Sequence, residues 1–400
     1  MTDAETASPR SESRPLRVGV AGIHGHGATH VRAALELERS GAVVLAALAD
    51  PTPPGADLVD PDRVVAGSAR ATGGSRVAWF DDAERMLRAG DLDLVVLSTP
   101  MHTHLPLALA ALEAGAHVLL EKPPTPTLAD FRELVAASER TGLGVQVGFQ
   151  SLGSAALPFV RGLIADGAIG AVDRYGALGT WLRTDAYWRR ARWAGRRTLD
   201  GVPVVDGVVA NPLAHATATA LAVAGATGEA EVTGLRLDLH RAAAIEVDDT
   251  SSYVAELADG RTLAGALVLT APRRSEPCVV VHGGAGRITL WYTLDLVQVD
   301  TGRGIPWTTA HPRTNLLADL VAHATTGSPL LAPIAATGGF MRVLEGVRTA
   351  PDARPIDPAH IERRTTADGE PHSVVADVEA WCDRVIAEGR TFAELGAPWA

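Results

Sequence analysis

Two short apolar runs, Leu94–Leu97 and His117–Leu120, constrain this chain more than any other feature. Each ends in polar residues and a proline: Ser98, Thr99 and Pro100 after the first, Glu121, Lys122 and Pro123 after the second. Unbroken rather than alternating hydrophobicity is what a strand covered on both faces requires, and the stretch from about Pro106 to Glu113 has the pattern of a joining helix. The unit is therefore strand–helix–strand, and the sheet it belongs to is parallel. In an open parallel sheet ligands collect outside the carboxyl ends of the strands, so the two polar segments should flank one crevice. A Glu121–Lys122 pair closing a buried strand there points to chemistry rather than to a weak surface ion pair.

The preceding residues extend this to a dinucleotide crevice. Arg17 to Gly22 reads as a strand, Ile23, His24, Gly25, His26 and Gly27 as a glycine-rich turn, and Ala28 to Glu38 as a helix. Such a turn aims backbone N–H groups and a helix N-terminus at a pyrophosphate. The spacing departs from G-x-G-x-x-G, because His24 stands at its second glycine and the chain supplies Gly22, Gly25 and Gly27 instead. Asp50 follows the strand Val43–Ala49 at the distance where an acidic residue binds the adenosine ribose; its charge would repel a 2′-phosphate, favouring NAD over NADP.

These pieces, together with Thr99, Pro100, His104 and the run from Glu113 to Pro124, resemble the Gfo/Idh/MocA family of glucose-fructose oxidoreductases and inositol dehydrogenases. The resemblance implies an α/β fold: an N-terminal Rossmann dinucleotide-binding domain over 15–148, then a C-terminal α/β domain over 149–400 with a large open, mostly antiparallel sheet. That sheet would carry substrate residues and often an oligomer face, so a homo-oligomer, dimer or tetramer, is expected. Residues 1–14 are expected to be a disordered tail. Also implied are Lys122 beside the nicotinamide, a histidine opening a helix in the second domain, matched by His215, and cofactor contacts from Ser98, Thr99, His104, Glu121 and Gln150. The chain departs from the family at Asn211, where an aspartate commonly precedes the histidine by four residues, and at Met101, where an asparagine often follows Thr-Pro.

Physically, Asn211 suits a helix N-cap and Pro212 its first position, with an apolar helix running on to about Val223. His215 then sits in the first turn, where the helix N-terminus disfavours the imidazolium and leaves a ring able to accept a proton. The implied reaction is oxidation of a secondary alcohol, with His215 as general base and Lys122 stabilising charge on the reacting oxygen. Asn211 would orient the site without neutralising a positive charge. Substrate contacts are expected from Tyr187, Trp188, Arg189 and Trp193, in a segment where aromatic faces suit sugar C–H groups and guanidinium forks suit anions. The substrate would be a sugar, polyol or sugar acid. Two other readings remain: a non-catalytic NAD- and sugar-binding regulator, raised by Asn211, and an enzyme that recycles NAD within one turnover to cleave a glycosidic bond.

Histidine pairs at 24 and 26, with His30, and at 102 and 104 invite a metal, but they lack an adjacent carboxylate or cysteine set, so no metal is expected. With 47 Asp+Glu against 36 Lys+Arg the chain is acidic, which argues against nucleic acid. No apolar run approaches about eighteen residues, so no membrane span is expected. Cys278 and Cys382 make no disulfide framework; with no apolar signal core before Ser13, they suggest a reducing, cytoplasmic setting. Beyond residue 148, alternating strands are expected at 231–239, 251–257 and 262–270, the last two turning at Asp259 and Gly260, then a hairpin at 279–291. Helices are expected near 155–166, 315–325, 338–350 and 373–388, followed by a loose end.

Overall fold

The computed structural model describes residues 14–67 and 76–400; the tail expected at the N-terminus lies outside these up to Ser13. Seven parallel strands make the first sheet: β1 (Leu16–Ala21), β2 (Val43–Ala49), β3 (Val64–Ala66), β4 (Val77–Phe80), β5 (Leu94–Leu97), β6 (His117–Leu120) and β7 (Val145–Val147), in the order β3-β4-β2-β1-β5-β6-β7. The direction of winding reverses between β1 and β5, which is where such sheets open a crevice. Register brings the ends of three strands level, Ala21 against Leu97 and Leu97 against Leu120. Gly22, Ser98 and Glu121 therefore leave the sheet side by side. Helices α1 (Gly27–Arg39), α2 (Ala83–Ala89), α3 (His104–Glu113) and α4 (Leu128–Thr141) cross over between strands.

The nine strands of the second sheet include β8 (Val172–Thr180), which follows α5 (Ala156–Ala165). After it come the short helix α6 (Asp185–Trp188), a two-stranded ribbon of β9 (Thr198–Leu199) and β10 (Val202–Pro203), and helix α7 (Ala214–Ala224). Then follow β11 (Val232–Arg241), β12 (Thr250–Leu257), β13 (Thr262–Val268), β14 (Cys278–Gly283), β15 (Gly286–Trp291), β16 (Leu296–Asp300), β17 (Trp307–Ala310) and β18 (Arg354–Pro355). The spatial order is β17-β16-β15-β14-β8-β13-β12-β11-β18, antiparallel except where β8 meets β13 and β11 meets β18. The turn at Asp259 and Gly260 does join β12 to β13, as its composition predicts.

A division at residue 148 does not separate the packing. Helices α8 (Leu316–Thr326) and α9 (Gly338–Thr349) return to the first sheet, α8 against β6 and α1 and α9 against α4, while the Val147 N–H donates to the Ala332 carbonyl. A parallel sheet must be covered on both faces, and these late helices supply part of the cover.

The tail departs most from its sequence reading. The helix expected over 373–388 is present from Val378 as α10 (Val378–Glu388), but its first residues belong to β20 (Pro371–Val375), which pairs with β19 (Ile361–Thr365), and the short α11 (Phe392–Leu395) follows. The end is not loose, for Trp399 is buried and stacks edge-on against Phe392 at 4.7 Å. Because side chains alternate across a strand, Tyr253, Ala255, Leu263, Leu267, Val279 and Val281 face the main core, while Val254, Ala264, Ala266, Cys278 and Val280 face away. That second face packs on Val378, Cys382, Val385, Ile386 and Phe392. The chain's own last residues thus cover this face of the second sheet over β12, β13 and β14. Phe392→Ala should cost about 3–5 kcal/mol, read as a shift of the denaturant midpoint; a midpoint unchanged from the parent would mean that the tail does not hold this face. Both cysteines are buried and unpaired. Among the described residues no helix is long and apolar enough to cross a membrane.

Candidate active site

The glycine turn has a backbone that side chains would block. Gly22 has φ +76°, and a Cβ there would lie 2.2 Å from the Ser98 carbonyl oxygen; a Cβ on Gly27 would lie 1.7 Å from the Gly22 carbonyl oxygen. His24 replaces the usual second glycine without strain on the sheet, since it is exposed and its Nε2 lies 3.1 Å from the Thr52 carbonyl. No side chain caps α1 at His26. The Asp50 carboxylate accepts from the Ile23 N–H at 3.1 Å and the Thr52 N–H at 3.0 Å, so a negative charge is held at the end of β2 beside the turn. This bare helix start with its glycine cradle and adjacent carboxylate fits an NAD-type dinucleotide.

A cavity of about 350 Å³ adjoins the turn. Its walls include Ser98, Thr99, Pro100 and Met101 after β5, Glu121 and Lys122 after β6, Gln150, and from the second half Trp193, Asp206, Asn211 and His215. Lys122 and His215, ninety-odd residues apart, thus share one pocket. The Lys122 Nζ donates to Asn211 Oδ1 at 2.6 Å and to the Asn211 carbonyl at 3.1 Å. An ammonium has three protons, so one is left for a ligand. Burial pulls the Lys122 pKa down, against the pull of Glu121 and Asp206.

Asn211 is not the helix cap its sequence position suggests; α7 begins at Ala214 after Leu213, with Asn211 in the turn before it. The amide is held from the other side by Asp206, whose Oδ1 accepts from Asn211 Nδ2 at 2.6 Å. Asp206 in turn takes both bonds of the Arg190 guanidinium, at 2.8 and 2.9 Å, and the Gly195 N–H at 2.9 Å. Burial raises the Asp206 carboxyl and Arg190 opposes it. A carboxylate, an amide and an ammonium therefore stand in series. Sequence reading missed Asp206 as a site residue; its only local signal is the Asp206–Gly207 turn, whose glycine lies so close to the buried Asp248 that a Cβ would sit 1.9 Å from its Oδ1.

His215 is the second residue of α7, near the expected first turn. Burial drives its pKa down to about 3, the charge on Lys122 adding to the effect, so the ring is neutral. Phe149 packs on it edge-on at 5.5 Å. Thr219 Oγ1 lies 2.6 Å from the His215 carbonyl and 2.8 Å from Ser151 Oγ, which is 3.5 Å from His215 Nδ1. Thr219 donates to Ser151 Oγ, whose second lone pair is left to accept from Nδ1–H. Nε2 then carries the lone pair.

Glu121 does not pair with Lys122 through side chains. Its Oε1 faces His30 Nε2 at 2.7 Å and His26 Nε2 at 3.2 Å, and its Oε2 accepts from the Lys122 N–H. Burial would raise this carboxyl, but the two histidine contacts outweigh it and hold it well below the ordinary carboxylate range. The same contact raises His26. The carboxylate that the histidine-rich turn lacks in sequence is supplied across the fold. His104 lines the cavity but is buried, with Nδ1 at 3.0 Å from the Pro123 carbonyl and Nε2 at 3.0 Å from the Thr99 carbonyl, so it braces the two strand ends together.

The aromatic and arginine segment divides. Trp193 lines the cavity, whereas Trp188 and Arg189 line a separate concavity with Arg241 and Arg363. Tyr187 stands behind the site: the Arg190 guanidinium lies 3.7 Å from its ring centroid and 4.5 Å from that of Trp193. This stack aims Arg190 at Asp206, a role no spacing rule reveals.

Residues 16–149 match the pattern of an oxidoreductase family with an NAD-binding Rossmann fold, Gfo/Idh/MocA. An inositol 2-dehydrogenase of Saccharopolyspora erythraea is 41% identical over 140 residues, 34% of this chain and 37% of the relative. The rhizopine catabolism protein MocA of Rhizobium meliloti is 31% identical over 134 residues, again 34% and 37%. The chain thus spans little more than a third of the length of these two relatives. Among solved structures, an aldose-aldose oxidoreductase of Caulobacter crescentus superposes with TM-score 0.66 at 19% identity, covering 84% of this chain and 96% of its own. The WlbA dehydrogenase of Bordetella pertussis, solved with NADH and UDP-GlcNAcA, gives 0.65 at 21%, covering 84% and 95%. These likenesses establish the two-sheet fold.

Proposed function

We propose, from the match of residues 16–149, the segment that builds the seven-stranded sheet, to the Gfo/Idh/MocA oxidoreductase family, that this protein is an NAD-dependent dehydrogenase acting on a secondary alcohol of a sugar or polyol. The observation that carries the reading is the convergence of Lys122, tied to Asn211 at 2.6 Å, and a neutral His215 on one cavity beside the glycine turn. When bound, the nicotinamide supplies hydride acceptance or delivery. The chain's own residues do the rest. Lys122 uses its remaining proton to hold the substrate oxygen and to stabilise negative charge on it as the C–O bond order changes. His215 Nε2 takes the hydroxyl proton. Ser151 keeps the ring in the tautomer that can do so. Asp206 holds Asn211 with its oxygen toward Lys122, which places a carboxylate behind the site and weakens the case for a non-catalytic binding protein that Asn211 raises.

Trp193, which lines the cavity, supplies an aromatic surface suited to the C–H groups of a sugar ring. The reading is tested by mixing the protein with NAD and inositols, hexoses and uronates and following reduced-nicotinamide absorbance. An absorbance rise with at least one polyol or sugar is expected; dinucleotide binding without turnover on any of them would sink it.

A base with a pKa of about 3 is already deprotonated above about pH 4. The acid limb of kcat/KM that belongs to His215 is therefore expected far below the ordinary histidine value of about 6.5. The profile should be free of a His215-dependent limb between about pH 5 and 8. A limb centred near 6.5 that disappears in His215→Ala would contradict the buried, neutral ring.

A further inference from the structure

We infer that His26, His30 and Glu121 form a binding site for a divalent transition metal of the zinc type, an inference whose geometry does not rest on the dehydrogenase chemistry proposed above, although Glu121 is also an expected cofactor contact. His26 and His30 are four residues apart at the start of α1, and His26 has helical angles of φ −66° and ψ −33°, so both rings project from one face. Two histidines at this spacing are a familiar half of a metal site. The other half arrives from the end of β6, ninety-one residues on. All three ligand atoms lie within 4.8 Å of one another, and Glu121 Oε1 is 2.7 Å from His30 Nε2 and 3.2 Å from His26 Nε2. Metal bonds of about 2.0–2.2 Å set tetrahedral ligand atoms roughly 3.3 Å apart, a separation that the two Glu121 contacts approach and that the 4.8 Å bound on all three atoms brings within reach of side-chain adjustment.

Hydrogen bonding alone serves this cluster poorly. Gln150 Nε2 lies 3.4 Å from Glu121 Oε1 and 3.4 Å from His26 Nε2. Three nitrogens therefore converge on one oxygen with two lone pairs, and two of them face each other as donors. A cation between the rings and the carboxylate turns both imidazole nitrogens into lone-pair ligands and removes the conflict. The amide of Gln150, reversed, offers its oxygen as a further ligand. Nitrogen and oxygen donors in a three-ligand set suit zinc, cobalt or nickel better than calcium or magnesium. His26, Glu121 and Gln150 also line the cavity, which leaves the remaining coordination position facing the cleft. The nearby Lys122 ammonium opposes a cation, and the Glu121 carboxylate between them offsets it.

The test titrates chelator-treated, dialysed full-length protein with zinc chloride by calorimetry and with cobalt chloride by visible absorption. One equivalent of each is expected, the cobalt form showing the intense bands of a low-coordinate N/O site. His26→Ala, at an exposed ring whose loss leaves the core intact, should weaken both by at least about tenfold with an unchanged Tm. His102→Ala, in the same cleft but outside the cluster, should leave them as they are. Absence of stoichiometric binding, or binding that His26→Ala does not weaken, overturns the inference.

Discussion

Lys122→Ala should lower turnover by about 10²–10⁴-fold, the range lost when one aligned charge stabiliser or proton-transfer partner is removed. The expected loss is in kcat, because the bond that Lys122 makes to the reacting oxygen strengthens as charge develops there. Affinity for NADH should change little: the glycine cradle and Asp50, which fit the dinucleotide, do not depend on this side chain. His215→Ala should cost a comparable factor, and the double variant should lose much less than the product of the two, since both groups act on one oxygen. Steady-state kinetics and fluorescence titration with NADH separate the effects. Full turnover in either single variant would remove the mechanism.

The second large effect is expected at Asp206, a residue with no obvious task in sequence. Asp206→Ala strips the Arg190 guanidinium of its carboxylate and leaves the Gly195 N–H and Asn211 Nδ2 without acceptors. Leaving these partly buried donors unpaired costs about 1–3 kcal/mol. Asp206→Asn is the sharper probe of function, because it keeps the volume while removing the charge that fixes the Asn211 amide. With that constraint relaxed, Asn211 is free to turn its Nδ2 toward the Lys122 ammonium, where donor meets donor. A fall in kcat at a tolerable loss of Tm is expected for Asp206→Asn. Parental kcat in a folded Asp206→Asn protein would show that the series from carboxylate to ammonium is structural only.

Much of the first sheet is readable because the features that make it are local. A run such as Leu94–Leu97 is apolar throughout because both faces are covered, and the turn 22–27 carries glycine where a Cβ would strike a backbone carbonyl. Asp50 and the Glu121–Lys122 pair are found by their place at strand ends. The second half yields less. Asn211 and Pro212 have the composition of a helix start, yet α7 opens three residues after Asn211, whose amide is already held by Asp206 and Lys122. Trp188 and Arg189 lie within six residues of Trp193 and face another concavity, since a short helix and tight turns rotate each side chain differently. The tail reads as one helix because Val374 and Val375 extend its apolar pattern, but those residues pair as a strand with Ile361 and Glu362.

Taken alone, the order of residues determined the parallel strand–helix units and the glycine cradle, since each rests on spacings within a single turn or strand end, whereas Lys122 and His215 were singled out by a family resemblance. Only the tertiary structure decided that Glu121 meets His26 and His30, that Asp206 stands behind Asn211, and that the last residues cover the outer face of the second sheet. Such contacts join residues 91 and even 212 positions apart. They form because burying apolar sheet faces and pairing buried charges favours one arrangement of the whole chain, and no local pattern records which distant partner that arrangement delivers.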